Sequence, residues 1–338
     1  MTSVSPVSGS ERSSAGSLRA TRASLFSWKL LVGFGVVALL LVFSLLTGEY
    51  DIFGAEDGAE MFGISRVPRT IALVLSGAAM AMSGLVMQLI TQNRFVEPST
   101  TGTTEWAGFG LIVMMFFFPT SSILLKMTGA ITFAFIGAMI FFLFLRRVSL
   151  KSSLVVPIVG MMLGTVISAI STFFALETNM LQNLGVWFAG SFTSVYEGQY
   201  EVLWLVLLVV VAVFLLADRL TLAGLGEEYS TNLGVNYQRV VLVATALIAI
   251  ATGVVTVAVG SLPFLGLIVP NIVSLFRGDD LRSNLPWVCL TGIAIVTACD
   301  LIARLIIAPF EMPVSVILGI IGAIVFVSLI VGGRRRAR

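Results

Sequence analysis

Histidine is absent from this chain of 338 residues, which removes the commonest metal ligand and the commonest general base near neutral pH. Only two cysteines occur, Cys289 and Cys299, and both fall inside one apolar run, so no disulfide framework can be read. Charge is equally scarce. Asp, Glu, Lys and Arg make up 11% of the chain, against about a quarter in a soluble protein. So little polar surface cannot face water, which excludes soluble enzymes, secreted disulfide scaffolds and nucleic-acid binders. No G-x-x-x-x-G-K-[ST] phosphate loop occurs, so the chain is not expected to bind and split ATP in the usual way. Neither a metal-spaced His/Cys/carboxylate cluster nor a nucleophile elbow is found. The expectation is a protein that is not an enzyme, with no cofactor and no metal of its own.

What the chain does have is apolar length, with 57% hydrophobic residues and a mean hydropathy of +1.03. Apolar runs lie near 28–47, 67–90, 103–118, 121–145, 154–176, 202–218, 239–261, 263–277, 285–306 and 313–331. About twenty apolar residues suffice to cross a bilayer. Several of these runs are short or broken by Gly and Pro, as in helices that line a cavity. The expected fold is all-α: a polytopic integral membrane protein of about ten transmembrane helices. Residues 1–27, Ser-rich with Arg12, Arg19 and Arg22, read as a disordered cytoplasmic tail. Residues 28–331 read as the membrane domain and 332–338 as a basic cytoplasmic tail. The run from Trp28 to Thr47 is too long for a signal h-region and is expected to stay as the first span.

Basic residues fix the orientation. Alternating the spans from a cytoplasmic N-terminus leaves only Arg66, Arg69, Lys126 and Arg304 outside, four of the twenty Lys and Arg. Arg94, Arg146, Arg147, Lys151, Arg219, Arg239, Arg277, Arg282 and the C-terminal arginines fall inside. The chain is thus expected in the cytoplasmic membrane with both termini cytoplasmic.

Polar residues stand out against this background. Gln88, Asn93, Thr101, Thr103, Thr104 and Glu105 cluster at the inner ends of the second and third spans, and are placed along a translocation path. The competing reading is that the threonines bond only to their own backbone. Buried ionisable relays are otherwise few, which speaks against an ion-coupled secondary carrier, and no polar ring suggests a channel. Gly77 to Gly84 and Gly160 to Gly164 are small-residue patterns that allow close helix packing. Between 219 and 238 lies the one structured inner connector, with Glu227 and Glu228 suited to a helix first turn and Gly234 to its end. Residues 178–201 form a longer outer loop with Trp187, Tyr196 and Tyr200, aromatics that favour a membrane surface. Arg66 and Arg69 share one helical face, and Asp300 and Arg304 are spaced to pair.

These blocks carry a resemblance. Arg66-Val-Pro-Arg69, Ser76 to Gly84, Gln92 to Pro98, Gly226-Glu-Glu with Leu233-Gly234, Pro263 to Pro270, and Asp300 to Arg304 with Glu311-Met-Pro313 resemble the FecCD-type permeases in order and spacing. That family comprises membrane subunits of ATP-driven importers for iron-siderophores, haem and cobalamin. The resemblance implies a type II ABC importer permease fold, pairing with a second permease subunit. It also implies two ATPase subunits on the inside and a siderophore-binding protein outside. ATP would be used by the ATPase, and iron would arrive within the substrate. The block from Asn93 to Glu105 is most similar to the catecholate-siderophore branch, petrobactin or anguibactin; haem or cobalamin is the alternative cargo. The resemblance places a coupling helix at about 224–234, with Gly226, Glu227, Glu228, Leu233 and Gly234 against the ATPase, and docking arginines at Arg66, Arg69 and Arg304. Asn271 stands where many members have His.

Overall fold

The computed structural model describes residues 28–48, 57–147 and 155–336. The expected tail 1–27, Lys151 and Arg338 lie outside the described residues. Every regular element among the described residues is helical. The first is α1 (Trp28–Leu46); α2 (Gly58–Met61) runs through a π-helical turn into α3 (Val67–Ile90). There follow α4 (Thr103–Phe117), α5 (Ile123–Arg147), α6 (Val155–Glu177) and α7 (Leu181–Phe188). The second half holds α8 (Trp204–Ala223), α9 (Glu227–Asn232), α10 (Tyr237–Ala258), α11 (Leu265–Arg277), α12 (Leu281–Leu305) and α13 (Val314–Arg336). Among the described residues seven helices are long and apolar enough to cross a membrane, and α4, α11 and α13 add three shorter apolar stretches. Together they account for the ten apolar runs. α13 continues without a break past residue 331, the expected end of the membrane domain, because no proline interrupts it.

α3 is the axle of the bundle, with α8, α10, α11 and α12 packed around it. Ala72, Leu73, Ala79, Met82 and Met87 on α3 are fully covered. α4 leans on α5 and α6, and α1 lies outermost against α12 and α3. Leu31, Phe34 and Leu39 of α1 and Met162, Val166 and Phe173 of α6 face outward. Such an apolar exterior is solvated by lipid tails, which are as apolar as leucine, so hydrophobicity alone cannot hold helix to helix. Close packing must do it. A Cβ on Gly84 would lie 2.1 Å from the Gly266 carbonyl oxygen, and one on Gly160 2.2 Å from that of Thr100. The small-residue patterns in the sequence are thus points of backbone contact, at α3–α11 and at α6.

Of the apolar helices, α4 and α11 are too short to cross. α11 has 13 residues, about 20 Å of helix against a hydrocarbon core of about 30 Å; α4 has 15 residues. Each follows a left-handed residue, Gly102 (φ 79°) and Phe264 (φ 63°). Segment 91–102 therefore turns back into the bundle, where Thr100 and Gly102 meet Gly160 and Gly164 of α6. The outer loop 178–201 is partly helical: α7 buries none of its residues, while Phe192 and Val195 beyond it are nearly inaccessible.

Candidate functional site

A helix that begins inside a membrane must satisfy its first backbone N–H groups without water. α11 has no side-chain cap of its own. Glu97, from the re-entrant segment, supplies one from a distant part of the chain. Its carboxylate accepts from Phe264 N–H at 2.7 Å and Leu267 N–H at 3.1 Å, and from the Ser99 hydroxyl. Glu97 is 1% exposed. A carboxylate at a helix N-terminus also meets the positive end of the helix dipole. The close approach at Gly84–Gly266 seats α11 beside the same segment, and Gln88 donates to the Gly266 carbonyl at 3.2 Å. Asn271 completes the join, donating to the carbonyls of Arg94 (2.8 Å) and Leu267 (2.7 Å).

The residues placed along a path by sequence separate into three groups. Gln88 and Asn93 line a cavity of about 310 Å³ with Gln92, Asn271, Ser274 and Asn284. Within it the Asn284 amide oxygen is buried without a hydrogen-bond partner. Thr101 and Thr103 do not face that cavity. They are 1% and 0% exposed, bond to each other at 2.9 Å, and Thr101 also donates to the Pro98 carbonyl at 3.0 Å. Local turn geometry draws them inward. Thr104 and Glu105 sit between α4 and α6. Glu105 Oε2 lies 3.5 Å from where a Gly164 Cβ would be, and neither it nor the Thr104 hydroxyl has a partner. Beside them α6 exposes Thr165, Ser168 and Thr172 at helical spacing, a polar stripe in an apolar span. That stripe is readable at spacings of three and four in the sequence, but it hides among the leucines and methionines.

The inner connector is α9, bounded by Gly226 (φ 99°) and Gly234 (φ 81°), both left-handed. Its six residues are fewer than the expected 224–234, because these glycines end the helical geometry on each side. Gln92 donates to the Gly224 carbonyl at 3.0 Å, joining the connector to the re-entrant segment. On the other side Glu227 accepts from Gln238 at 2.7 Å, and Gln238 in turn accepts from Arg146 of α5. Glu228 and Leu233 are exposed, and so are Leu225, just before α9, and Tyr229 within it. The sequence reading found Leu233 but not its two companions.

At the opposite end Arg66, Arg69 and Arg304 come together. Arg69 lies 2.7 Å from Asp300 and 2.9 Å from Glu311, and Arg304 lies 2.7 Å from Asp300. Arg304 also donates to the carbonyls of Ser44 (3.2 Å) and Thr47 (2.8 Å), while Arg66 donates to those of Leu45 (2.9 Å) and Leu46 (3.2 Å). Two guanidiniums thus cover the last carbonyls of α1, where a helix C-terminus favours positive charge. Arg304 is only 8% exposed, so its guanidinium belongs to the interior, whereas Arg66 is half-buried. Thr193 donates to Glu311 at 2.8 Å, tying in the outer loop. Burial pushes the Glu311 carboxyl up. The hydrogen bond and charge of Arg69, the Thr193 bond and the charge of Arg304 outweigh it and hold the carboxyl below its ordinary value.

Comparison with known proteins agrees with this architecture. The FecCD transport family matches residues 22–332. The petrobactin import system permease FatD of Bacillus anthracis is 62% identical over 303 residues, 90% of this chain and 91% of that protein. The ferric-anguibactin transport permease FatD of Vibrio anguillarum is 36% identical over 271 residues, 80% of this chain and 86% of that one. Among solved structures, a metal-chelate type ABC transporter in an inward-facing conformation superposes with a TM-score of 0.77 at 27% identity. That match covers 90% of this chain and 99% of that one. With ten apolar helices among the described residues and a family match running almost from end to end, the chain belongs to the FecCD transport family.

Proposed function

We propose that this chain is the membrane-spanning permease subunit of an ATP-driven importer that moves an iron-siderophore complex across the cytoplasmic membrane by alternating access. The observation that carries the reading is the connector α9. It is short, bounded by two left-handed glycines, and tied on both flanks to the bundle through Gln92 and Gln238. It leaves Leu225, Tyr229 and Leu233 exposed, at the end of the bundle where Gln238 joins Glu227 to Arg146. Exposed apolar side chains on and beside a connector held at both flanks suit a partner whose closure must be transmitted to the membrane. The partner in this reading is an ATPase, two copies per assembly, which does the hydrolysis that this chain lacks the loop to perform. Gly226, Glu227, Glu228, Leu233 and Gly234 form the coupling element.

The remaining assignments follow. A second permease subunit faces the polar stripe of α6, so that Thr165, Ser168 and Thr172 line the path with Glu105, and Gln88 and Asn93 line its inner vestibule. An extracytoplasmic siderophore-binding protein docks on Arg66 and Arg69, guided by charge more than held by it. Arg304 serves this surface by keeping α1 in place. Both termini are cytoplasmic, as the basic residues favour. Likeness to petrobactin and anguibactin permeases supports a catecholate siderophore over haem or cobalamin.

The test is uptake of iron-loaded petrobactin, anguibactin, haem and cobalamin in cells that depend on this permease. Uptake of a siderophore is expected, abolished when the ATPase is removed and when Leu225, Tyr229 and Leu233 are all changed to Ser with insertion intact. Gradient-driven uptake by this chain alone would establish a secondary carrier instead.

A further inference from the structure

The cleft between α5 and α10 at the basic end of the bundle is unused by the assignments above. It encloses about 290 Å³ and is built in two zones. Its walls are Met139 and Leu143 of α5 and Leu242 of α10, all exposed on the outward surface, over a floor of buried Phe142 and Val241. Its rim carries Arg146 and Arg239, both exposed, with Gln238 between them in sequence. No carboxylate lines it. Arg239 makes no side-chain hydrogen bond or ion pair among the described residues, its backbone N–H alone bonding to Asn236. Arg146 has the neutral Gln238 amide as its partner. Among the described residues Glu227 is turned to Gln238, and Tyr237 stands close enough to feel both Glu227 and Arg146.

Depth decides the ligand. Arg146 sits in the last turn of α5, and Met139 lies two turns further in, about 10 Å along the helix axis. A small anion would use the rim and leave the apolar walls bare. A fatty chain without charge would leave two guanidiniums without an anion. The one molecule in a membrane that offers both parts at this spacing is a phospholipid with net negative charge, and basic clefts between spans take such headgroups. We propose that this cleft binds an anionic phospholipid, its phosphate between Arg146 and Arg239 and an acyl chain along Met139, Leu143 and Leu242. The bound headgroup then shares Arg146 with the chain of contacts Arg146–Gln238–Glu227, and so steadies α9 from the lipid side.

The test titrates the delipidated full-length chain in nonionic detergent. The ligands are phosphatidylglycerol, phosphatidylcholine with the same acyl chains, and inorganic phosphate, with thermal unfolding as the readout. Phosphatidylglycerol is expected to raise the unfolding midpoint at lower concentration than phosphatidylcholine. Each arginine near an anionic headgroup accounts for about a fivefold preference, so Arg146→Gln with Arg239→Gln should weaken phosphatidylglycerol about thirtyfold, close to phosphatidylcholine. Leu143→Trp, which fills the apolar slot, should reduce it without altering charge. Arg147→Gln, off the cleft, should change nothing. The Arg239 side chain makes no hydrogen bond or ion pair among the described residues, so Arg239→Gln alone keeps the test valid if the double variant fails to fold. Three results would overturn the proposal. They are equal response to both lipids, full stabilisation by inorganic phosphate, or arginine variants that keep their lipid response but lose co-purification with the ATPase.

Discussion

Replacing Glu97 by Ala strips the cap from a helix that starts inside the membrane. Two backbone donors, Phe264 N–H and Leu267 N–H, lose acceptors at 2.7 and 3.1 Å, and the Ser99 hydroxyl loses its partner as well. A buried donor left without an acceptor costs about 1–3 kcal/mol, so the two N–H groups together cost about 2–6 kcal/mol. Glu97→Gln keeps one acceptor oxygen and turns its amide toward a donor. It should recover about half of that loss. The cavity left by Ala is polar and opens toward the re-entrant segment, where a water could enter and soften the cost toward the lower bound. The measurement is thermal unfolding of the purified chain in detergent, run beside siderophore uptake in cells at matched membrane levels. The expected order in both is wild type, then Gln, then Ala. An Ala variant that melts with the wild type and transports normally would refute the capping argument, since no other side chain caps α11.

Other expectations concern packing and the outer cluster. Gly84→Ala puts a methyl 2.1 Å from the Gly266 carbonyl oxygen, forcing α3 and α11 apart at about 1–3 kcal/mol, visible as a lower unfolding midpoint. Glu311 is held below its ordinary value in the folded chain. Its contribution to stability is present above the unfolded carboxyl value and is lost as pH falls through the folded one. Glu311→Gln should therefore flatten the acid side of the stability profile and leave neutral pH less stable than wild type. Arg66→Glu should weaken binding-protein association and, because it also uncaps the end of α1, lower the unfolding midpoint modestly. Arg304→Glu should lower the midpoint further, because it leaves Asp300 facing a second carboxylate in a buried site. Equal effects of the two arginine variants on stability would dissolve that distinction.

The spans were legible because they are properties of composition. Twenty apolar residues cross a bilayer whatever their neighbours. α9 was legible from Gly226 and Gly234, since local backbone chemistry announces itself locally. Glu97 was not legible as a cap. It stands in a quoted block, but its partners are 167 and 170 residues further on, and nothing in the order of residues marks that meeting. The outer arginines show the same divide. Asp300 and Arg304 could be paired from helical spacing, whereas the contact of Arg69 with Asp300 spans 231 residues. Thr101 and Thr103 belong with these: polarity in an apolar stretch signals either a path or a tight turn, and the order of residues does not separate the two.

The outer cluster also has a history in time. Arg69 leaves the ribosome 231 residues before Asp300, an interval of about 12–46 s at 5–20 residues per second. Through that interval its guanidinium must be satisfied by water and headgroups at the membrane edge, and Arg66 must hold the end of α1 alone. Arrival of α12 brings Asp300 and Arg304 in one turn of helix, already neutralising each other, and Glu311 follows close behind. The cluster is therefore a clasp that shuts at the end of biogenesis, fastening the first-made helices to nearly the last. A chain cut short before Asp300 would carry an open clasp, and that is a mark by which membrane quality control could distinguish an unfinished permease from a finished one.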